Sequence, residues 1–245
     1  MSQPEVFKGI GIVSMQKLGV ENAPMRDAGD VEQLKIAHRT NSITWKQHRR
    51  PGGGNLSKLD TPEGIDLTVQ MQEWTDENLA MSLQGTVVEL EPETVTGEAV
   101  VLTPGSLVVT DFPGPVGLVI TKTQGSTPVP LTEVETSAAG FRVKADSTAI
   151  TEPTPATIAY TSTKAVRIEP LVEAGAEYKV VFDGLNEAPG GRPVVVTIWR
   201  WKAPPAEELA LIDAENPGKL LSKGEILADP SRPANESPFY RIDRL

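Results

Sequence analysis

The sequence predicts a mainly β protein: a β-sandwich or barrel with one short flanking α-helix and a long inter-strand loop. Three observations carry that expectation. Ile65, Leu67, Val69 and Met71 alternate with Asp66, Thr68, Gln70 and Gln72, the period of a strand with one face on a core and the other toward water. Downstream, short β-branched runs recur between Pro104-Gly105, Pro113-Gly114-Pro115, Gln124-Gly125-Ser126 and Glu152-Pro153-Thr154-Pro155, a punctuation typical of sandwiches and barrels. One stretch, 76–84, has apolar residues at helical spacing between a start and a stop signal.

In chain order, residues 1–30 read as an initial strand followed by an arm or loop. Leu34 and Ile36 alternate with polar neighbours, and so do Ile43 and Trp45, but on the opposite parity. A β-bulge between Arg39 and Ser42 accounts for the slip, because one extra residue reverses the face a strand presents. Arg49 to Gly54 then ends the strand, and the segment to Gly64 reads as a loop of roughly sixteen residues, a length usually functional or disordered. Thr75 is the expected N-cap of the helix, with Asp76 and Glu77 at the positive end of its dipole. Leu79, Ala80 and Leu83 form its inward stripe, and Gly85 stops it. Strands are expected at Thr86–Leu90, Glu98–Thr103, Leu107–Thr110, Leu118–Thr121, Phe141–Lys144, Thr157–Tyr160, Ala165–Ile168, Glu177–Phe182 and Pro193–Trp201. No repeat and no shift in composition divides the chain. Residues 1–245 read as a single β domain with an N-terminal arm, and 121–163, rich in Thr, Pro and Ala, as an outer loop region or an accessory subdomain.

Charge is sorted by position. From Gln33 to Lys58 there is no acid but Lys35, Arg39, Lys46, Arg49, Arg50 and Lys58; from Leu59 to Thr121 there are eleven acids and no Lys or Arg. Such blocks either neutralise each other within one molecule or meet between copies. The second contact is heterologous and builds rings or open filaments. A net charge of −10 disfavours a general nucleic-acid binder.

The residues mark no catalytic centre. There is no cysteine, and the only histidines, His38 and His48, lie in the basic segment without zinc-ligand spacing. Gly52 to Lys58 lacks the Gly-Lys-Ser/Thr ending of a phosphate loop. The carboxylates are dispersed on polar strand faces rather than paired as in a glycosidase. Trp199 and Trp201 are expected on one strand face, packed in the core. No run approaches the length needed to cross a bilayer as a helix, and the first residues lack the pattern of a signal peptide.

In the C-terminal third, 177–186 (EYKVVFDGLN) leads to 194–201 (VVVTIWRW). Leu209-Ala210-Leu211-Ile212, a Gly-Lys-Leu-Leu segment from Gly218, 224–229 (GEILAD) and Phe239-Tyr240-Arg241-Ile242 follow. This order, with a strand, a long glycine-containing loop, an alternating strand and a short helix before it, resembles the tail tube (major tail) proteins of long-tailed bacteriophages. The resemblance implies a structural protein of the virion tail, assembled in the host cytoplasm into stacked homo-hexameric rings. It implies tape-measure, tail initiator and terminator proteins as partners, and DNA only as cargo passing through the lumen. It implies no catalytic residue, cofactor or metal. On this reading His48, Arg49, Arg50, Lys58, Asp60 and Glu63 belong to a ring-stacking loop, mobile in the free subunit, and Asp66, Thr68, Gln70 and Gln72 face the lumen as an acid-bearing wall. The alternatives are a β-sandwich binding or adhesion module presenting acidic loops, and a carboxylate-based hydrolase.

Overall fold

The computed structural model describes residues 7–49, 53–173, 175–188 and 191–245, and it divides into two compact units. The first runs up to Val87 and resumes at Ile168; the second is Val88–Arg167 and contains the 121–163 segment.

The first unit begins with β1 (Gly9–Lys17), β2 (Arg26–Asp27), β3 (Val31–Lys46), β4 (Asn55–Met71) and the helix α1 (Asp76–Ser82), and β5 (Thr86–Leu90) crosses the boundary after Val87. The alternation in β4 has the expected effect. Leu67, Val69 and Met71 have no solvent exposure and Ile65 packs beside them, while Asp66, Thr68 and Gln70 take the other face half-buried. The Thr75 side chain accepts a hydrogen bond from the Asn78 amide at 3.2 Å, capping α1. Of the expected stripe, Ala80 is buried and Leu79 packs against the core, but polar residues join them on the inward face. Asn78, Ala80, Met81 and Ser82 are its buried residues, and Leu83 stands half-buried at the C-cap. The helix is shorter than expected because Gln84 takes φ +49°, and the Gly85 amide donates back to the Ala80 carbonyl at 2.7 Å.

The second unit holds β6 (Thr94–Leu102), β7 (Leu107–Val109), β8 (Val116–Lys122), β9 (Pro128–Val129), a 3₁₀ turn at Leu131–Glu133, β10 (Val134–Ser137), β11 (Gly140–Val143) and β12 (Thr154–Thr161). A sheet of order β6-β12-β8-β9 and one of order β10-β11-β7 share a core of Leu102, Leu118, Ile120, Phe141, Val143, Ile150, Ile158 and Tyr160. A side chain at Gly140, with φ +145°, would meet the Val108 carbonyl oxygen at 2.1 Å, so the close approach of β11 to β7 needs glycine there. Polar ties hold the loops. Tyr160 donates to Glu98 at 2.8 Å and accepts from the Phe112 amide at 3.1 Å. Glu133 accepts from Ser147, from Thr148 and from the Ala149 amide, and these bonds, Ser147 first, hold its carboxyl below the usual range.

β13 (Ala165–Glu169), which pairs with β5, returns the chain to the first unit, where β14 (Tyr178–Asn186), β15 (Pro193–Lys202), β16 (Leu220–Ile226) and β17 (Tyr240–Arg244) complete an antiparallel sheet. Its order is β2-β1-β14-β15-β16-β4-β3, with β17 alongside β15. The core of this unit is Val13, Met15, Leu67, Val69, Met71, Val180, Ile198, Trp201, Leu220 and Ile226. Trp199 and Trp201 do not share a face. The β14–β15 register shifts between the Tyr178–Trp201 and Val180–Ile198 pairs, so Ile198 and Trp201 both point inward. Trp199 lies outside that core, under the Arg232 guanidinium at 4.0 Å from its ring centre.

Candidate functional site

The longest pairing in the molecule is β3 with β4, from Val31–Met71 to Lys46–Asn55. Beyond Asp66, the last β4 residue paired with β16, no further β16 pairing is seen among the described residues. The outer half of the pair therefore continues past the β16 ladder as a two-stranded ribbon, braced at its base where the Tyr240 hydroxyl meets His38 Nε2 at 3.1 Å. The turn between the strands closes through the Gln47 amide and Gly54 carbonyl at 2.7 Å.

This corrects the expectation of an unpaired loop from Arg49 to Gly64, because Asn55–Gly64 is strand in register with β3. The alternation signal is missing there for a physical reason. Alternation records one buried face, and here every residue from Asn55 to Glu63 is exposed. A register shift does occur at Arg39/Thr40, but the extra residue is Glu63 on β4, so β3 keeps its alternation and the expected reversal of its face does not occur.

Beyond the bulge the apolar residues of both strands fall on one face. Ile43 pairs with Leu59, and Trp45 with Ser57. In β3 these are odd positions, continuing the face of Lys35 and Arg39 rather than the core face of Leu34 and Ile36. Ile43, Trp45 and Leu59 are 49%, 48% and 50% exposed, and Leu56, at the shift beside Trp45, is 70% exposed. A Trp and three aliphatic residues thus stand at the end of a ribbon with no core beneath it.

The residues assigned to stacking divide into groups. His48 and Arg49 are exposed beside the turn, Arg50 lies outside the described residues, and Glu63 is exposed at the bulge. Lys58 and Asp60 form an ion pair along β4 at 2.8 Å. That bond, then one from Ser42, holds the Asp60 carboxyl below the usual range. Lys46, His48 and Arg49 form no ion pair among the described residues.

Asp66, Thr68 and Gln70 share the face away from the core, and Gln72 is exposed just past the strand's end, its amide donating to Asp30 at 2.9 Å. The expected acid-bearing wall is instead a face of mixed sign. Thr68 lies between Lys35 and Lys223, and Asp66 between Ala37 and Glu225. Arg39 bridges Asp66 at 3.3 Å and Glu225 at 2.9 Å. Gln70 donates to Glu32 at 3.0 Å, and Glu32 also pairs with Lys219 at 2.6 Å. Asp66 is answered by Arg39 of β3 and Asp60 by Lys58 of its own strand, and the cross-strand pairing is what a one-dimensional charge pattern does not reveal.

Sequence reasoning missed Asn78. It is fully buried in α1, where its amide donates to Ala28 at 2.9 Å and Glu73 at 3.1 Å and its oxygen accepts from Arg26 at 2.7 Å. Burial shifts the Arg26 pKa downward. No group of three or more His, Cys, Asp or Glu is placed to hold a metal ion among the described residues, and no helix there is long and apolar enough to cross a membrane.

The chain belongs to the family described as Protein of unknown function UCP028589, whose model matches residues 6–243. No curated protein matches it.

Proposed function

We propose that this protein is a structural subunit that self-assembles into stacked rings forming a phage tail tube, a conduit for genome passage. The observation that carries this reading is the β3–β4 ribbon. Ile43, Trp45, Leu56 and Leu59 are exposed at its end, beside the cations Lys46 and Arg49, which form no ion pair among the described residues. Apolar surface concentrated on a projecting element marks an interaction site, and a ribbon of exposed residues gains stability when a partner covers it. Six subunits per ring, and tape-measure, initiator and terminator partners, follow from the resemblance of the sequence to tail tube proteins. The mixed-sign face of β3, β4 and β16, bearing Asp66, Thr68 and Gln70, is the surface assigned to the lumen; its matched ion pairs leave little net attraction for phosphate.

Electron microscopy of the purified chain at rising concentration tests the proposal. Hollow tubes or stacked rings are expected. A protein that stays monomeric up to millimolar concentration, alone and with tail initiator components, refutes it, and binding to a glycan by such a monomer favours the adhesion module.

A further inference from the structure

Within the first unit, the segment between β15 and β16, residues 203–219, has no regular secondary structure, yet it is tied down at three points. The Ala206 amide donates to the Ser82 carbonyl at the end of α1 at 2.7 Å. Leu209 packs against the core, and the Trp74 indole donates to the Gly218 carbonyl at 3.0 Å. Between these anchors Leu211 and Ile212 project outward, 76% and 95% exposed. Asp213 stiffens the crest by accepting from the Glu215 and Asn216 amides at 2.9 and 3.1 Å. An ordered loop that holds two bare aliphatic side chains in water at fixed positions is shaped for contact.

Beside the crest lies a groove of about 410 Å³, lined by Pro204, Glu207, Glu208, Asp213 and the outward residues Leu221 and Lys223 of β16. Glu207, Glu208, Asp213 and Glu215 form no ion pair among the described residues. The ribbon end has the opposite character: Ile43, Trp45, Leu56 and Leu59 with Lys46 and Arg49. The groove carries an excess of acid, with Glu207, Glu208 and Asp213 against Lys219 and Lys223, and the ribbon end an excess of cation, so the two surfaces are complementary in charge as well as in apolar area.

Their placement on the sheet is also complementary. Leu221 pairs with Gln70, and so shares the face that Ile43 and Trp45 continue toward the ribbon end. Ser57, opposite Trp45, is thirteen β4 residues from Gln70. At the rise of a strand this puts the two surfaces about 40 Å apart along the strands. We infer that the 203–219 crest and its groove are the receptor for the ribbon of a second copy of this chain, displaced by about that distance. Because donor and receptor are different surfaces, the contact is heterologous, and it builds a ring or an open filament according to the rotation between copies. The inference rests on the self-assembly reading and adds the surface on which the ribbon lands.

The test uses the full chain with a photo-crosslinking amino acid at Trp45, irradiated under assembling conditions, with the joined peptides mapped by mass spectrometry. Adducts within 203–219 of another copy are expected, together with an axial repeat near 40 Å in micrographs. In parallel, Leu211→Ser with Ile212→Ser is expected to keep the wild-type melting temperature and raise the assembly concentration roughly tenfold or more, as loss of a central apolar anchor does. Glu207→Lys with Glu208→Lys should weaken assembly, and adding Lys46→Glu and Arg49→Glu in the same chain should restore it. Tubes whose cross-links fall only outside 203–219, or whose assembly ignores the Leu211 and Ile212 changes, overturn this inference and leave the self-assembly reading standing. A wild-type chain that forms no assembly overturns both.

Discussion

Replacing Trp45 by alanine separates a residue that holds the fold from one that holds an assembly. Trp45 is 48% exposed on the outer half of the β3–β4 ribbon and belongs to neither buried core. A tryptophan presents roughly 200 Å² for burial, so about 100 Å² is left for a partner to cover. At ~25 cal/mol per Å² this corresponds to about 2.5 kcal/mol, or near 60-fold in the concentration at which assembly begins. The same change should cost the isolated subunit less than about 1 kcal/mol, the range of substitutions away from a core. The assays are light scattering or sedimentation velocity over a concentration series, paired with urea unfolding under conditions that keep the chain monomeric. An assembly threshold shifted by tens of fold with unchanged unfolding is the expected pair of results. Unfolding that shifts by several kcal/mol would show that Trp45 serves its own chain. An unshifted assembly threshold would show that the ribbon's apolar face is not the contact.

Other consequences follow from particular residues. Asn78→Leu strands the Ala28 and Glu73 carbonyls and the Arg26 guanidinium that Asn78 now satisfies, and should lower unfolding stability by about 4 kcal/mol; a loss below about 1 kcal/mol would show that these groups find other partners. The Glu177–Arg200 pair, bonded at 2.8 and 3.1 Å, holds the Glu177 carboxyl below its ordinary 4.5. Its stabilisation is therefore present above about pH 4.5 and lost as pH falls through the lower folded value, so the melting-temperature gap between wild type and Glu177→Gln should close on acidification; a gap that widens toward low pH would contradict the pairing. Gln70→Lys removes the hydrogen bond to Glu32 and adds a cation to the face assigned to the lumen. Tails built from it should assemble at normal length and release DNA more slowly, and unchanged release kinetics would take that face out of the lumen.

How much could be read from the sequence depended on whether a residue's neighbours in space were also its neighbours along the chain. The core half of β4 was legible because Leu67, Val69 and Met71 obey the local rule of a strand with one buried face. The change of parity after Arg39 was legible but its cause was misread: the extra residue is Glu63 in β4, and Ile43 and Trp45 stand on the face opposite Leu34 and Ile36 because no core lies beneath the ribbon there. The outer half of β4 was not, because its order comes from pairing with β3 and no burial pattern records it. Trp199 was misplaced because a bulge is set by the partner strand, and the helix face was read only in part, Leu79 and Ala80 but not Asn78 and Ser82, because those polar residues take inward places through bonds to distant atoms. The division at Val88 and Arg167 leaves no mark in composition, since both units are built from the same short strands and turns.

The sorted charge blocks show most clearly what a linear pattern hides. The blocks do neutralise each other within the chain, through Arg39 with Asp66 at the base of the ribbon and Lys58 with Asp60 on its outer half. Further along, the acids are taken up one by one: Glu73 by the Asp30 amide, Asp76 and Glu77 at the first turn of α1, Glu89 and Glu91 by Lys164, and Glu98 by Tyr160. Each of these has a local partner or position, so much of the run from Asp60 to Asp111 is engaged within its own unit. The cations at the end of the ribbon are a different case, since Lys46 and Arg49 find no acid within reach on their own chain among the described residues. Their counterpart must then be sought where acids are left over. Such acids lie on the ordered crest of Glu207, Glu208, Asp213 and Glu215, far along the sequence and toward the other end of the same sheet face. Charge left over at both ends of one strand direction, with bare apolar side chains beside each remainder, is what a subunit needs in order to join copies of itself in a line.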